Sequence, residues 1–235
     1  MIEIIPAILP PSLGELREQL SRIRGATRDV QIDIVDGIFA SNRTWPYAQD
    51  GRPETRSLKD ELAFADAFDI EVDLMAHEPE DMAESWRESG AARIIIHADT
   101  AGAREALLAL TFEREEHKKP QGIAVGIALP CSASAGSLAE FENLYDFVQV
   151  MGIDKVGFQG QPFASGAIEL VRALRQQYPD LAIQVDGGVS EKNIPDLVRA
   201  GANRLIVGSQ IWKSENPKAE IQTLEALANS TLGAP

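Results

Sequence analysis

Short apolar runs rich in Ile, Val and Ala recur along the chain, and amphipathic stretches separate them. Runs of this kind are typical of parallel strands that are buried on both faces of a sheet. The pattern predicts eight strands, at residues 2–9, 30–35, 70–75, 93–97, 123–129, 147–151, 182–185 and 204–207. Eight units in 235 residues average about 29 residues each, which suits the βα units of a closed (β/α)8 TIM barrel. An open, doubly wound α/β sheet is the main alternative.

The stretches between the predicted strands carry signals for the beginnings and ends of helices. Ser12 and Glu15 form a capping box, in which each side chain can satisfy a free backbone donor of the first turn. Gly90 and Gly201 each lie just before a predicted strand and suit helix C-caps, which need a positive φ angle. The sequence therefore predicts helices that alternate with the strands.

Residues 39–53 break this alternation, because they contain two prolines and a glycine and show no apolar period. We predict a long loop after the second strand, and loops of this length often serve in binding. Its aromatic residues Trp45 and Tyr47 are expected to cover a substrate or to pack on a neighbouring subunit. The chain has no linker or low-complexity run, so we predict a single domain over residues 1–235.

The charge balance excludes some classes of partner. With 22 basic and 36 acidic residues, the chain has a formal net charge of −14. Nucleic acids and anionic membranes are bound through clustered Lys and Arg, so neither is an expected partner. A small phosphorylated molecule is still compatible with this charge, because backbone N–H groups can bind it.

Cysteine usage and hydropathy indicate a cytoplasmic protein. Cys131 is the only cysteine, so no disulfide can form within the chain. The N-terminus does not resemble a signal peptide, and no apolar run reaches the roughly 18 residues of a membrane span. We therefore expect a cytoplasmic location and no membrane partner.

Polar residues occur near the C-terminal ends of several predicted strands, where (β/α)8 barrels hold their reacting groups. Gln31 and Asp33 share one face of the second strand, Asp73 lies in the third, and Asp186 follows the seventh. Buried carboxylates need hydrogen bonds, an opposite charge or a cation. We interpret the three as a proton-transfer or metal site, and the alternative is carboxylates bonded to backbone or to Arg and Lys. Asp36 is as readily explained by a turn.

Glycine-rich turns follow the last three predicted strands. Exposed N–H groups in such turns, together with a helix N-terminus, form the phosphate site of many (β/α)8 barrels. The candidate phosphate-binding residues are Gly157, Gln159, Gly160, Gly187, Gly188, Gly208 and Ser209.

Taken in order along the chain, these segments resemble the ribulose-phosphate 3-epimerase family, from Ile5 to Trp212. Each segment alone is a common string, but their order and spacing are specific. The matching segments are Ile5-Pro6-Ala7-Ile8-Leu9, Asp33-Ile34-Val35-Asp36-Gly37-Ile38-Phe39, Asp73-Leu74-Met75, Glu78-Pro79-Glu80, His97-Ala98-Asp99, Gly126-Ile127-Ala128-Leu129, Gly157-Phe158-Gln159-Gly160-Gln161, Val185-Asp186-Gly187-Gly188-Val189 and Val207-Gly208-Ser209.

The resemblance implies an epimerase that interconverts ketose phosphates at C3. In the family, two carboxylates exchange a proton with the two faces of an enediolate beside a divalent metal, and Asp33 and Asp186 match these two residues. The resemblance further implies a small phosphorylated sugar as partner, no organic cofactor, and a homo-oligomer, either a dimer or a hexamer.

This chain departs from the family at the metal site. Gln31 and Asp73 stand where the family has its two metal-binding histidines, so the implied ligands are Gln31, Asp33, Asp73 and Asp186. A set of oxygen ligands favours Mg²⁺ or Mn²⁺ over zinc or iron. Ala7 also replaces the serine of the family's first-strand motif.

Other functions are open at the level of sequence. A chain that retains the phosphate site but lacks the histidines suits a non-catalytic sugar-phosphate binding protein. Lys155 would suit a Schiff-base aldolase if it lay buried in the barrel, and a related decarboxylase is also compatible. His97 is expected to be a hydrogen-bonded structural residue, and His77 and His117 are expected at the surface.

Overall fold

Eight parallel strands form a closed barrel in the computed structural model of the protein, which describes residues 1–47, 57–117 and 122–232. The order of the strands around the barrel follows their order in the chain, and the eighth pairs with the first. Every strand begins and ends within one residue of its predicted position, so the predicted (β/α)8 barrel is confirmed. The strands are β1 (Glu3–Ile8), β2 (Asp29–Val35), β3 (Asp69–Met75), β4 (Arg93–His97), β5 (Ala124–Leu129), β6 (Phe147–Met151), β7 (Ala182–Asp186) and β8 (Arg204–Val207).

Helices connect the strands and cover the outside of the barrel. A 3-10 helix, Ala135–Phe141, takes the place of an α-helix between β5 and β6. None of the described helices is long and apolar enough to cross a membrane. The α-helices are α1 (Leu13–Ile23), α2 (Leu58–Glu61), α3 (Glu80–Ser89), α4 (Ala103–His117), α5 (Gly166–Gln177), α6 (Ile194–Ala200), α7 (Ser209–Lys213) and α8 (Pro217–Leu232).

Helix boundaries follow the capping signals in the sequence. Ser12 is the N-cap of α1, and its hydroxyl accepts a hydrogen bond from the backbone N–H of Glu15 at 3.2 Å. Gly90 and Gly201 end α3 and α6 with φ angles of 92° and 112°. These angles are favourable for glycine because it has no Cβ, so the predicted C-caps are confirmed.

The barrel packs differently on its two sides. On the outside, Ile, Val and Leu side chains of the strands form one continuous apolar core with the helices. On the inside, apolar side chains form only small clusters, such as that of Ile5, Ala7 and Ile206. The rest of the interior is polar.

Strand register places the polar interior positions side by side. In the β2–β3 pair, Gln31 lies opposite Glu71 and Asp33 lies opposite Asp73. In the β6–β7 pair, Gln149 lies opposite Gln184 and Met151 opposite Asp186. Because side chains alternate along each strand, residues two apart on one strand share a face, and these polar residues all face the barrel interior.

The loop after β2 differs from the prediction. Trp45 is only 4% exposed, and its ring packs edge-to-face on Trp86, with 6.1 Å between ring centroids. The expectation that Trp45 covers a substrate or a neighbouring subunit is wrong, because this side chain fills the chain's own core. Tyr47 packs half-buried against the same core. Residues 48–53 of the predicted loop lie outside the described residues.

Candidate active site

Polar side chains fill the centre of the barrel. Buried polar groups are unfavourable unless they find partners, and here they form hydrogen bonds with one another. Nine residues of this centre are buried, each with at most 8% of its surface exposed: Gln31, Asp33, Glu71, Asp73, His97, Gln149, Gln184, Asp186 and Arg204.

Three aspartates converge at the C-terminal end of this polar centre. One oxygen atom of each of Asp33, Asp73 and Asp186 lies within 4.8 Å of the other two. Nε2 of Gln31 donates hydrogen bonds to Asp33 Oδ1 at 2.8 Å and to Asp186 Oδ2 at 3.0 Å. The structure therefore brings together the four residues of the implied metal site, with the nitrogen of Gln31 facing the carboxylates.

Both carboxylate oxygens of Asp73 have hydrogen-bond partners. Nε2 of His97 lies 2.9 Å from Oδ1, and Nε2 of Gln149 donates to Oδ2 at 3.0 Å. The ring of His97 is buried and lies 5.1 Å from that of Phe39, centroid to centroid. His97 is thus hydrogen-bonded, as predicted, and holds a carboxylate of the site in place.

Burial and mutual repulsion shift the protonation of these groups. Burial, followed by the charges of Asp186 and Asp73, raises the pKa of Asp33 well above its usual range. Burial and the charge of Asp73 raise the pKa of Asp186 to about 7. Burial disfavours a charged imidazole, but the charge and hydrogen bond of Asp73, together with the charges of Asp99 and Asp186, outweigh this effect and raise the pKa of His97. Near neutral pH, a protonated carboxyl group can therefore lie beside an ionised one, as acid–base catalysis requires.

Arg204 supplies positive charge to the polar centre, at the N-terminal ends of the strands. Nη1 of Arg204 donates to Glu71 Oε2 at 2.6 Å, and Nε of the same guanidinium donates to Glu3 Oε2 at 2.8 Å. Asp33 and Asp186, by contrast, are bridged by the uncharged amide of Gln31. A proton or a cation between these two carboxyl groups would offset their repulsion.

A small pocket, with a cavity volume of about 40 Å³, opens at the carboxylates. Two of the three aspartates, Asp33 and Asp186, are part of its wall. The turns after β6, β7 and β8 complete the rim. The predicted phosphate-binding residues in the wall are Gly157, Gln159, Gly160, Gly187, Gly188, Gly208 and Ser209.

The turn after β7 requires glycine. Gly187 and Gly188 have φ angles of 104° and 65°, in the region that other residues rarely adopt. A Cβ at Gly188 would lie 2.9 Å from Cα of Phe163, so a side chain would collide with backbone. The absence of side chains keeps the backbone of this turn close to the pocket.

The carbonyl oxygen of Ala7 joins two parts of the rim. It accepts hydrogen bonds from Nε2 of Gln159 at 3.1 Å and from Nε1 of Trp212 at 2.6 Å. A Cβ at Gly208 would lie 2.8 Å from Nε2 of Gln159, so this amide lies against the turn after β8. Helix α7 begins at Ser209, and the free N–H groups of its first turn therefore lie at the rim.

Asp36 has a structural role. Its Oδ1 accepts hydrogen bonds from the backbone N–H groups of Ile38 and Phe39, and its Oδ2 accepts one from the N–H of His77. These bonds stabilise the loop after β2, in agreement with the turn interpretation. The side chain of His77 is exposed, as predicted.

Lys155 lies outside the barrel interior. Its side chain is exposed, and Nζ lies 5.0 Å from the centroid of the Phe158 ring. A Schiff-base lysine would have to be buried in the barrel, and Lys155 is not buried there. The side chain of His117 lies outside the described residues.

Four members of the polar centre were not predicted from the sequence: Glu71, Gln149, Gln184 and Arg204. A usable signal was present, because Glu71 and Gln184 lie two residues before the aspartates of β3 and β7 and share their faces. Arg204 is the first residue of β8. An arginine at that position is also common at a solvent-exposed strand end, so its burial was not evident from sequence.

These features define a class of protein: a (β/α)8 barrel with a carboxylate cluster and a glycine-rich rim at one end. The chain belongs to the ribulose-phosphate 3 epimerase family, whose profile matches residues 3–212. It is similar to the ribulose-phosphate 3-epimerase, cytoplasmic isoform, of Oryza sativa subsp. japonica, with 31% identity over 94% of this chain and 92% of that protein. It is also similar to the ribulose-phosphate 3-epimerase of Schizosaccharomyces pombe, with 26% identity over 99% of this chain and 95% of that protein.

Solved structures share the fold at low sequence identity. A structure of KGPDC from Streptococcus mutans matches with a TM-score of 0.73 and 11% identity, over 98% of both chains. A 3-hexulose-6-phosphate synthase from Salmonella typhimurium matches with a TM-score of 0.69 and 15% identity, over 98% of this chain and 100% of that chain. At these identities the likeness shows the barrel fold alone.

Proposed function

We propose that this chain is a sugar-phosphate epimerase, an isomerase that interconverts ketose phosphates at C3, with ribulose 5-phosphate as the first substrate to test. One observation carries the proposal: the carboxyl groups of Asp33 and Asp186 line the same pocket as the turns at 187–188 and 208–209. A ketose held by its phosphate at these turns would present its carbon chain to the carboxyl groups. Membership of the family supports the same reaction.

Asp33 and Asp186 are the proposed catalytic residues. The hydrogen on C3 is weakly acidic because the neighbouring carbon is a carbonyl, so an ionised carboxylate has to face it. A protonated carboxyl group on the other face then delivers a proton and inverts the stereocentre. The two residues come from β2 and β7, which are separated in the barrel by β8 and β1, so they reach the substrate from different strands.

The glycine turns are the proposed phosphate site. Backbone N–H groups at Gly160, Gly187, Gly188, Gly208 and Ser209 would bind the phosphate oxygens, as turns at this end of (β/α)8 barrels often do. Such a site suits a chain with a net charge of −14, because the binding is local and needs no excess of Lys or Arg.

The three aspartates are the proposed ligands of a divalent cation. Asp33, Asp73 and Asp186 offer hard oxygen atoms within 4.8 Å of one another, a set that favours Mg²⁺ or Mn²⁺ over zinc or iron. A bound cation would supply positive charge against the negative charge that develops on the substrate. Gln31 turns its nitrogen to this cluster, so we propose the aspartates without Gln31 as the protein ligands.

Deuterium exchange at C3 tests the proposed function. Purified protein with Mg²⁺ or Mn²⁺ is incubated with ribulose 5-phosphate in D₂O, and proton NMR follows the C3 hydrogen. We expect the C3 signal to disappear while the C3 epimer accumulates. Exchange without epimer would indicate a different enolising reaction, and binding of the sugar phosphate without exchange would indicate a non-catalytic binding protein.

Two substitutions test the roles of the aspartates. Asp33→Asn and Asp186→Asn are each expected to lower the exchange rate by at least about 100-fold, because each removes one of the two proton-transfer groups. Asp180→Asn changes an exposed aspartate in the same way and serves as the matched control, with no expected effect. Full activity in either site variant would contradict the assignment.

A further inference from the structure

A chain of hydrogen bonds runs from the N-terminal end of the barrel to the aspartates. It starts at Arg204 and passes through Gln184 to Gln31 and Gln149. Nη1 of Arg204 donates to Oε1 of Gln184 at 2.6 Å as well as to Glu71. A guanidinium carries only donors, so the oxygen of Gln184 has to face Arg204.

The orientation of the Gln184 side-chain amide determines the orientation of the amides of Gln31 and Gln149. The two protons of its Nε2 are shared among three acceptors, Oε1 of Glu71 at 2.6 Å, Oε1 of Gln149 at 2.6 Å and Oε1 of Gln31 at 3.1 Å. Because the oxygens of Gln31 and Gln149 are turned to Gln184, the nitrogen atoms of these two amides point away from it, toward the aspartates.

The aspartates require the same direction from the other end. Nε2 of Gln31 donates to Asp33 and Asp186, and Nε2 of Gln149 donates to Asp73. Reversing either amide would place nitrogen against nitrogen at Gln184 and would remove the donor that bridges Asp33 and Asp186 or the donor to Asp73. All three glutamines are fully buried, so water cannot replace the lost bonds.

We propose that Gln184 and Arg204 are positioning residues that act through Gln31: they hold its amide nitrogen toward Asp33 and Asp186, so that its oxygen is withheld from a divalent cation. The role toward a cation rests on the proposed function, whereas the direction of the amides does not. Gln31 stands where the family has a histidine ligand, and in this chain it is a fixed donor that bridges two carboxyl groups.

The hydrogen bonding of the Gln31 amide can be tested without turnover. In ¹⁵N-labelled metal-free protein, the side-chain amide signal of Gln31 is identified by its loss in Gln31→Met. We expect its protons to exchange with water far more slowly than those of the exposed Gln177, and Gln184→Met is expected to remove this protection. If Gln184→Met fails to fold, the double variant Gln184→Glu with Glu71→Gln should give the same loss, because it retains a carboxylate beside Arg204 but has no donor at position 184.

Binding of Mn²⁺ tests whether Gln184 acts through Gln31. Once released, the oxygen of Gln31 can turn to the cation, so Gln184→Met is expected to tighten Mn²⁺ binding by about tenfold, the size of effect typical of residues behind metal ligands. In the Gln31→Met background the same substitution should have a much smaller effect. Gln177→Met is the matched control, and electron paramagnetic resonance of free Mn²⁺ gives the dissociation constants.

Two results would overturn the inference. One is rapid exchange of the Gln31 amide in the unsubstituted protein, and the other is an equal effect of Gln184→Met on Mn²⁺ binding with and without Gln31. A protein that shows the protected amide and the coupling but no exchange at C3 would instead contradict the proposed function and leave the positioning role intact.

Discussion

The carboxyl groups of the polar centre differ in the partners that balance their charge. Glu71 is matched by the guanidinium of Arg204, with which it shares a bond of 2.6 Å. Asp33 and Asp186 are bridged by the neutral amide of Gln31 and line the pocket. Glu71, which is paired with an arginine, therefore stabilises the fold, whereas Asp33 and Asp186 have no paired cation among the described residues and are available to a substrate or a metal ion.

Gln31→His is expected to change the preferred metal. An imidazole beside Asp33 and Asp186 adds a nitrogen ligand, and nitrogen ligands favour Zn²⁺ over Mg²⁺. Isothermal titration calorimetry should show Zn²⁺ affinity at least about tenfold higher than in the unsubstituted protein. Gln177→His, on the exposed face of α5, controls for a surface histidine. An equal gain in both variants would argue against a cation site at the aspartates.

Among the structural elements, the turns after β6, β7 and β8 build the rim of the pocket. Their geometry depends on backbone rather than on side chains, because Gly187 and Gly188 adopt positive φ angles and Gly188 lies against the backbone of Phe163. Helix α7 begins at Ser209, at the end of the turn after β8. A change in one glycine should therefore affect both the stability of the fold and the binding of phosphate.

Gly188→Ala is expected to destabilise the protein by about 1–3 kcal/mol, because alanine at φ 65° is strained and its Cβ meets backbone at 2.9 Å. Thermal unfolding with and without inorganic phosphate measures both effects, and we expect the stabilisation by phosphate to be lost as well. Gly14→Ala is the matched control. Its Cβ makes only ordinary contact in α1, so it should stabilise by about 0.5–1 kcal/mol.

For the molecule as a whole, the polar network joins strands from all around the barrel. Every strand except β5 contributes a member, from Glu3 on β1 to Arg204 on β8. At β5 the interior is instead filled by the ring of Phe147, which packs on Gly126. The closed barrel therefore depends on hydrogen bonds across its centre as well as on the apolar core outside it.

Arg204→Met is expected to lower the free energy of unfolding by about 3–5 kcal/mol, because it removes the hydrogen-bonded cation of the buried Glu71 carboxylate and leaves, within the described part of the chain, only Arg93, whose Nε lies 3.8 Å away. Adding Glu71→Gln should recover more than half of this loss. Chemical denaturation followed by circular dichroism measures both variants. Arg199→Met removes an arginine from an exposed ion pair with Asp196 and should cost at most about 1 kcal/mol. A similar cost for Arg199→Met and Arg204→Met would contradict the role of burial.

Much of the candidate site could be predicted from the sequence, because its members occupy fixed places in a repeated pattern. Asp33, Asp73 and Asp186 lie at the ends of strands, and parallel strands bring those ends to one side of a barrel. The direction of the Gln31 amide could not be predicted. It depends on a hydrogen bond from Gln184, which lies 153 residues further along the chain and is itself oriented by Arg204.

The sequence alone determined the architecture and the positions of the strands, because apolar period and turn residues act over a few neighbouring positions. It also determined which carboxyl groups and which glycine turns share an end of the barrel. Only the tertiary structure decided that Trp45 enters the core, that Lys155 stays in solvent and that Gln31 donates to the aspartates. These outcomes depend on contacts between distant segments, and burial gives such contacts their strength.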